Sequence, residues 1–401
     1  MRENSQTVHD LRRGNRATVL RRLYFDGPVS RQELAAGTGL SQASVSNVVG
    51  QLVEEQLVVE AGTVGSDGGR PRGLLRVNPG QSTVIGVEVA ETWVRVKAFD
   101  LTLAVLAEQT LPIEPDNQDR DLVINHILTG LAKVQAADNV DPDRILGVGV
   151  GVPGLVEQGA ELLVHGHTPA WHTVPLETLL RKGTDLPLHI DNGANTMGQA
   201  EMWFGAGRGA QHAVIALIGS GVGAGVIADG NPFRGARRSA GEWGHTTLSL
   251  DGPPCRCGSQ GCLESYTGAA AIVARHRNLH PNPEPLLDEE SAFRKALSDP
   301  SPQAQALIQE SARYLGAGIA NLINLFNPER ILLGGWAGLL LAEDNLPLIR
   351  ETARRYALHH PFDGTQIALC QLGPDAIALG AATLWVNHFL RSGGKLTPPP
   401  R

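Results

Sequence analysis

Three of the four cysteines in this 401-residue chain fall within eight positions, in the run CRCGSQGC (Cys255, Cys257, Cys262), and His245 stands ten residues upstream in AGEWGH. A disulfide framework needs paired cysteines and an oxidising compartment, whereas clustered thiols in an intracellular chain more often bind metal. One imidazole and three thiolates form a tetrahedral zinc set. With all four positions filled by protein, such an ion is structural and leaves no place for a reacting water, so a metallohydrolase is disfavoured. Gly258 and Gly261 permit the tight turn that this spacing demands. Cys370 stands alone on an expected strand and reads as a core thiol.

A chain of this length exceeds what one core organises, so two or three domains are expected. Its most apolar stretch, HAVIALIGSGVGAGVIA, is short and broken by four glycines, which excludes a membrane span. No basic segment followed by an apolar run reads as a secretory signal, and the cytoplasm is the expected compartment. The net charge of −7 conceals an asymmetry. Residues 1–80 carry ten arginines and eight acids, and the remainder carries 24 basic and 33 acidic residues. A mildly basic arm on an acidic body permits nucleic-acid contact through one end only.

Within that arm, Ser30 and Glu33 have the S-x-x-E spacing of a capping box, which predicts a helix from Arg31. Gly37 to Leu40 break it, and Ser41 caps a second helix in which Val45, Val48, Val49 and Leu52 recur at the spacing of one buried face. The other face carries Gln42, Ser46 and Asn47, with Ser44 beside them. These short polar side chains suit base edges or phosphates when the helix lies in a major groove. A preceding helix over 12–25 supplies Val19, Leu20 and Leu23 as the third wall. LVVEAGTVGSDGGRPRGLLRVNP then reads as two strands around a Gly-rich tip. Arg70 and Arg72 flank Pro71 there, an arrangement suited to a narrow minor groove. The order of elements is that of a winged helix-turn-helix.

From Ser82 the pattern becomes β-rich: TVIGVEVA, WVRVKAFD and AVLAEQTLPI read as a meander, followed by a helix over 120–137 and the strand ILGVGVGVP. A second series starts at PLHIDN, with a helix near 195–204, the hairpin HAVIALIGSGVGAGVIADG, a helix over 303–326, the strands RILLGG and TQIALCQL, and a last helix from Asp375. Two series of strands alternating with helices imply two α/β lobes with a cleft between them. The proline-rich, acidic stretch HPNPEPLLDEE interrupts this pattern, and the tail GGKLTPPPR is expected to be disordered.

The run AGEWGHTTLSLDGPPCRCGSQGCLES, Ala240 to Ser265, resembles the signature of the ROK family, which includes bacterial sugar kinases and sugar-responsive repressors; GGRPRGLLRVNP is similar to the repressors' wing and linker. The resemblance covers essentially the whole chain. It implies an α/β fold: a winged helix-turn-helix over 1–80, then an actin-like, ribonuclease-H-like body. Lobe 1 is expected over 81–190 with the helix 375–392 returned to it, and lobe 2 over 191–374 with the zinc loop. It further implies that Asn192, Glu242, His245 and Glu264 contact a sugar, with Gly154 of the GVPG loop approaching the ring, and that His245 serves zinc and sugar through its two nitrogens. Glu242 and Glu264 have an alternative role, holding the zinc loop. The family's kinase pattern N-D-A-N stands here as Asn192-Gly193-Ala194-Asn195, which leaves no side chain for the general base, and Asp191 is one position early. The phosphate motif D-x-G-G-T stands as EVAET, with Ala90 and Glu91 replacing two glycines.

The expected function is therefore a repressor that binds an operator in double-stranded DNA as a homodimer or homotetramer. A monosaccharide effector is expected to release it. The alternatives are a sugar kinase with an appended DNA-binding arm and a zinc protein that reads DNA without an effector. Xylose, glucose and related sugars share most of the hydroxyl pattern these residues would read.

Overall fold

Ser30 and Glu33 close the capping box reciprocally: Ser30 Oγ accepts the Glu33 N–H at 3.3 Å, and the Glu33 carboxylate accepts the Ser30 N–H at 2.8 Å. That pairing, which stabilises a helix start by about 1 kcal/mol, fixes the order α1 (Val8–Asp26), β1 (Val29–Ser30), α2 (Arg31–Thr38). Ser41 caps α3 (Gln42–Glu54), which buries Val45, Val49 and Leu52 and leaves Val48 half-buried. β2 (Val58–Ser66) and β3 (Gly69–Val77) form the wing, with β1 on the free edge of β3.

The computed structural model describes residues 8–66, 69–113, 119–166, 171–280 and 288–395, with no side-chain description at 8, 9, 66, 69 and 70. The wing tip at Asp67 and Gly68, positions 281–287 of the acidic stretch, the tail after 395 and the side chain of Arg70 lie outside the described residues.

The wing leads into the first lobe. Its strands β4 (Thr83–Val89), β5 (Trp93–Asp100) and β6 (Val105–Pro112) form the meander; α4 (Arg120–Gln135), β7 (Ile145–Val152), the hairpin β8 (Leu155–Gln158) and β9 (Leu162–His165), α5 (Leu176–Leu180) and β10 (Leu188–Asn192) follow. The sheet order is β10-β7-β4-β5-β6, with β7 parallel to both of its neighbours. Both faces of β4 are buried, which explains the apolar run Val84–Val87; Glu88 is buried with it.

After α6 (Gly193–Phe204) the second lobe repeats the plan with β11 (Ala213–Ile218), β12 (Val222–Ala228) and β13 (Asn231–Pro232). Next come α7 (Glu264–Thr267), α8 (Ala269–Arg277), α9 (Glu289–Ser298), α10 (Pro302–Phe326), β14 (Arg330–Gly334), α11 (Trp336–Tyr356), α12 (His359–Asp363) and β15 (Gln366–Leu369). Its order, β13-β12-β11-β14-β15, is again a meander extended by two parallel strands. α13 (Ala376–Arg391) returns to pack on β4 and β7 and against α6. Cys370, expected on a strand, stands one residue beyond β15 and is half-buried.

The N-terminal unit is seated on the body. Its core of Val19, Leu20 and Leu23 continues without a break into Phe99 and Leu101 of the first lobe and Trp385 and Phe389 of α13. Arg16 adds a polar tie, donating to the Gly393 carbonyl and to Glu55.

Candidate functional site: an interlobe cleft beside a cysteine-histidine loop

The end of β10 turns directly into α6, and Asn192 at that turn has its side chain committed at both ends. Its Oδ1 accepts the Ala194 N–H at 2.8 Å, capping α6, and its Nδ2 donates to the Gly154 carbonyl at 2.6 Å. Asn192 and Gly154 thereby form one wall of a cleft whose opposite wall carries Glu242, His245 and Glu264. All five sugar-site residues read from the sequence line this one space, which amounts to about 900 Å³ including its mouth. Trp336 and Ile377 supply an apolar boundary.

His245 also belongs to the loop. Its Nδ1 lies 3.6 Å from Cys255 Sγ, the Cys257 and Cys262 sulfurs are 3.8 Å apart, and the four donor atoms all lie within 4.8 Å of one another. Thiolates bound to one tetrahedral zinc at about 2.3 Å sit about 3.8 Å apart, so these residues fit a metal ion. The turn is made by Gly258 and Gly261 at φ of 90° and 68°, values open to glycine at little cost. Burial pushes up the thiols of Cys255 (to about 12) and Cys262.

Glu264 has a fuller set of partners than its sequence position implies. One oxygen accepts the Val222 N–H at 2.8 Å and the other accepts Arg256 Nε at 2.8 Å. Burial alone would raise its carboxyl, but Arg256 and the Val222 N–H hold it below the ordinary value. Burial pushes the Glu242 carboxyl up, against the pull of His245. A Cβ on Gly221 would collide with the Arg256–Glu264 pair, so the glycine of the β11–β12 hairpin is what lets the pair lie there.

Arg256 was not singled out in the sequence reading, yet it spans the cleft. Its Nη1 meets Glu91 Oε1 of the first lobe at 2.6 Å. Glu91 and Ala90 therefore stand at the mouth opposite the loop, with Glu88 behind them. Burial pushes the Glu88 carboxyl up to about 7, against Arg95 at 3.4 Å. Asp191, the neighbouring candidate base, is buried and pairs with Arg234, the Asn192 N–H and Asn195 Nδ2; Gly193 has only ordinary contacts where a Cβ would be.

The far end of α6 reaches the N-terminal unit. Trp203 and Phe204 pack with Tyr24 and Phe25 of α1; the Phe25 and Trp203 rings meet edge to face with centroids 4.9 Å apart, and the Arg21 guanidinium lies 4.9 Å from the Phe25 ring centre. Contacts of this kind contribute about 0.5–1.5 kcal/mol each beyond area burial. The twelve residues of α6 thus carry the chain about 18 Å from the cleft to α1. Sequence spacing gives no sign of this contact.

On the N-terminal unit, Gln42, Ser46 and Asn47 are exposed along α3, whereas the Ser44 hydroxyl is 2.9 Å from that of Ser41, within the cap. Arg72 is exposed on β3 opposite Val64, and its Nη1 donates to Gln32 of α2 at 3.1 Å. It therefore stands inboard of the wing tip.

A winged helix-turn-helix seated on two α/β lobes of like topology, with a cleft closed by a cysteine-histidine loop, defines the class. The chain belongs to the ROK family, which residues 84–388 match. It is similar to the xylose repressor of Caldicellulosiruptor bescii, at 29% identity over 95% of this chain and 97% of the relative. It is also similar to the glucokinase of Halalkalibacterium halodurans, at 34% identity over 75% of this chain and 94% of the relative. A solved ROK family transcriptional regulator, described as a homologue of the E. coli MLC protein, aligns over 96% of this chain and 98% of its own at 27% identity and a TM-score of 0.76. The two-lobed, actin-like fold expected from the sequence is the fold found. Among the described residues no helix is long and apolar enough to cross a membrane.

Proposed function

We propose that the chain is a DNA-binding repressor of carbohydrate metabolism, acting in the cytoplasm, whose cleft binds a monosaccharide. Asn192, Glu242, His245 and Glu264, with Gly154, form the sugar site. Zinc held by His245, Cys255, Cys257 and Cys262 fixes the loop that presents Glu242, His245 and Glu264. Residues 1–80 read DNA through Gln42, Ser46 and Asn47, with Ser44 at the helix start and Arg70 and Arg72 on the wing. Lobe 1 comprises 81–190 with 375–392, and lobe 2 comprises 191–374, although Asp191 and Asn192 at the boundary still pair with β7.

The observation that carries the reading is α6. Asn192 caps it in the cleft, and Trp203 near its other end packs on Phe25 of α1. A ligand that favours one lobe arrangement changes the seat of the DNA-reading unit, and it shifts DNA affinity by its differential affinity for the two arrangements. Sugar binding releases the operator in this account.

The repressor relative aligns with 95% of this chain, so the match extends into the N-terminal unit. Kinase chemistry is lost in this reading: Gly193 has no side chain to take a proton, and Glu91, paired with Arg256, puts a carboxylate where phosphates would lie. The glucokinase relative supports a second reading, an active kinase with an appended DNA-binding unit. A thermal-shift screen of monosaccharides, run beside a coupled ATP-turnover assay, separates the two. The repressor reading expects a sugar-dependent rise in Tm without turnover; sustained sugar phosphate formation would contradict it.

One recognition helix gives little affinity alone, so a homodimer or homotetramer on paired half-sites completes the reading. Exposed Leu325, Tyr356 and Leu358, where Asn324 joins the ends of α10 and α11, support a contact between copies there.

A further inference from the structure

Away from the cleft, a second group of ligand-grade side chains converges in the second lobe. His276 lies in the last turn of α8, His280 follows four residues later, and Asp299 is the residue after α9. His276 Nε2 is 2.8 Å from Asp299 Oδ2, His280 Nε2 is 3.0 Å from the same oxygen, and the two nitrogens are 3.3 Å apart. Two imidazoles and one carboxylate oxygen thus face a common point. Around a tetrahedral ion with bonds of about 2.0–2.1 Å, neighbouring donors lie about 3.3 Å apart, so the triangle needs to widen by at most about half an ångström, at the edge between His276 and Asp299.

The carboxylate is oriented before any ion arrives. Asp299 Oδ1 accepts the Ser301 N–H at 2.8 Å, and the Asp299 carbonyl accepts Gln305 Nε2 at 2.7 Å, which leaves Oδ2 turned to the imidazoles. Support of this kind behind a ligand commonly accompanies a metal site. His276 is buried, Asp299 is mostly buried, and His280 is 43% exposed, which gives an ion a way in.

We propose that His276, His280 and Asp299 bind a divalent transition ion of the zinc, cobalt or nickel class, with the remaining position taken by water. Imidazole and carboxylate donors suit these ions, and the absence of thiolate among the three makes the site chemically distinct from the cysteine-histidine loop. The ion fastens the end of α8 to the corner where α9 meets α10, bridging residues 19 positions apart in sequence. It acts as a clasp on the outer helices of the second lobe.

The test uses the full chain and cobalt(II) as the probe, because thiolate–cobalt charge-transfer absorption reports the cysteine loop and is absent from a nitrogen–oxygen site. The wild-type protein is expected to take up two equivalents, only one of which carries the thiolate band. H280A, at an exposed position, and D299N are each expected to take up one equivalent with the thiolate band intact; C257S is expected to keep only the equivalent without it. Saturation of the wild type at one equivalent would overturn the proposal. So would two unchanged equivalents in H280A.

Discussion

Arg256 and Glu91 join the two lobes across the mouth of the cleft, with 2.6 Å between Nη1 and Oε1, and the same guanidinium holds Glu264 from its other edge. One side chain therefore couples the loop, the cleft and the opposite lobe. Both partners are partly exposed, so the pair itself contributes at most about 1 kcal/mol to stability, and its larger effect is on lobe arrangement. E91Q is expected to change Tm little while raising the Kd for the proposed monosaccharide several-fold, because the two lobes are then less often held in the arrangement that binds it. Calorimetric titration checks this, and an unchanged Kd would separate the pair from ligand binding.

Removing one thiol from the loop tests the proposed zinc site. C257S is expected to lose the zinc equivalent at His245, Cys255 and Cys262, and to increase hydrogen exchange across 242–264 while α1 to α3 remain protected. Elemental analysis beside exchange mass spectrometry provides the measurement. Retention of that equivalent would show that the thiol is not a ligand.

The buried Glu88 carboxyl gives a pH signature. Its value in the folded protein, about 7, exceeds the ordinary 4.5, so the folded state holds a proton that the unfolded state releases. Stability from this group is therefore complete below about pH 4.5 and is lost as pH rises through about 7, by no more than about 3 kcal/mol. E88Q is expected to flatten the decline in Tm between about pH 4.5 and pH 7. An identical pH profile in wild type and E88Q would show that Glu88 is ionised throughout.

The residues proposed to read DNA are expected to separate by kind of contact. N47A on α3 is expected to cost about 1–3 kcal/mol on a selected operator and little on random DNA. R72A is expected to weaken both about equally and to lower the salt slope by about one. Fluorescence anisotropy at several salt concentrations distinguishes these outcomes.

Local signals made much of this molecule legible. Ser30 with Glu33, and Ser41 before its apolar face, announce helix starts because capping acts within four residues. The cysteine-histidine loop was readable because its donors fall within 18 positions. Arg256 and Glu91 are 165 residues apart, and Phe25 meets Trp203 only after both lobes are assembled. No periodicity or spacing encodes such pairs; the packing of α6 and α13 between the sheets creates them. The sequence reading did not single out His276 and His280, four residues apart on the chain, because Asp299 completes the group only through the α9–α10 corner.

The central claim is that a sugar in the cleft controls DNA affinity through α6. Its most direct test is the Kd for a duplex selected from a random pool, measured with and without the monosaccharide that raises Tm most, in wild type and in F25A. The wild type is expected to bind DNA at least tenfold more weakly with sugar present, and F25A is expected to bind the sugar as before but show little change on DNA. A wild-type Kd that stays constant while the sugar is demonstrably bound would contradict the account.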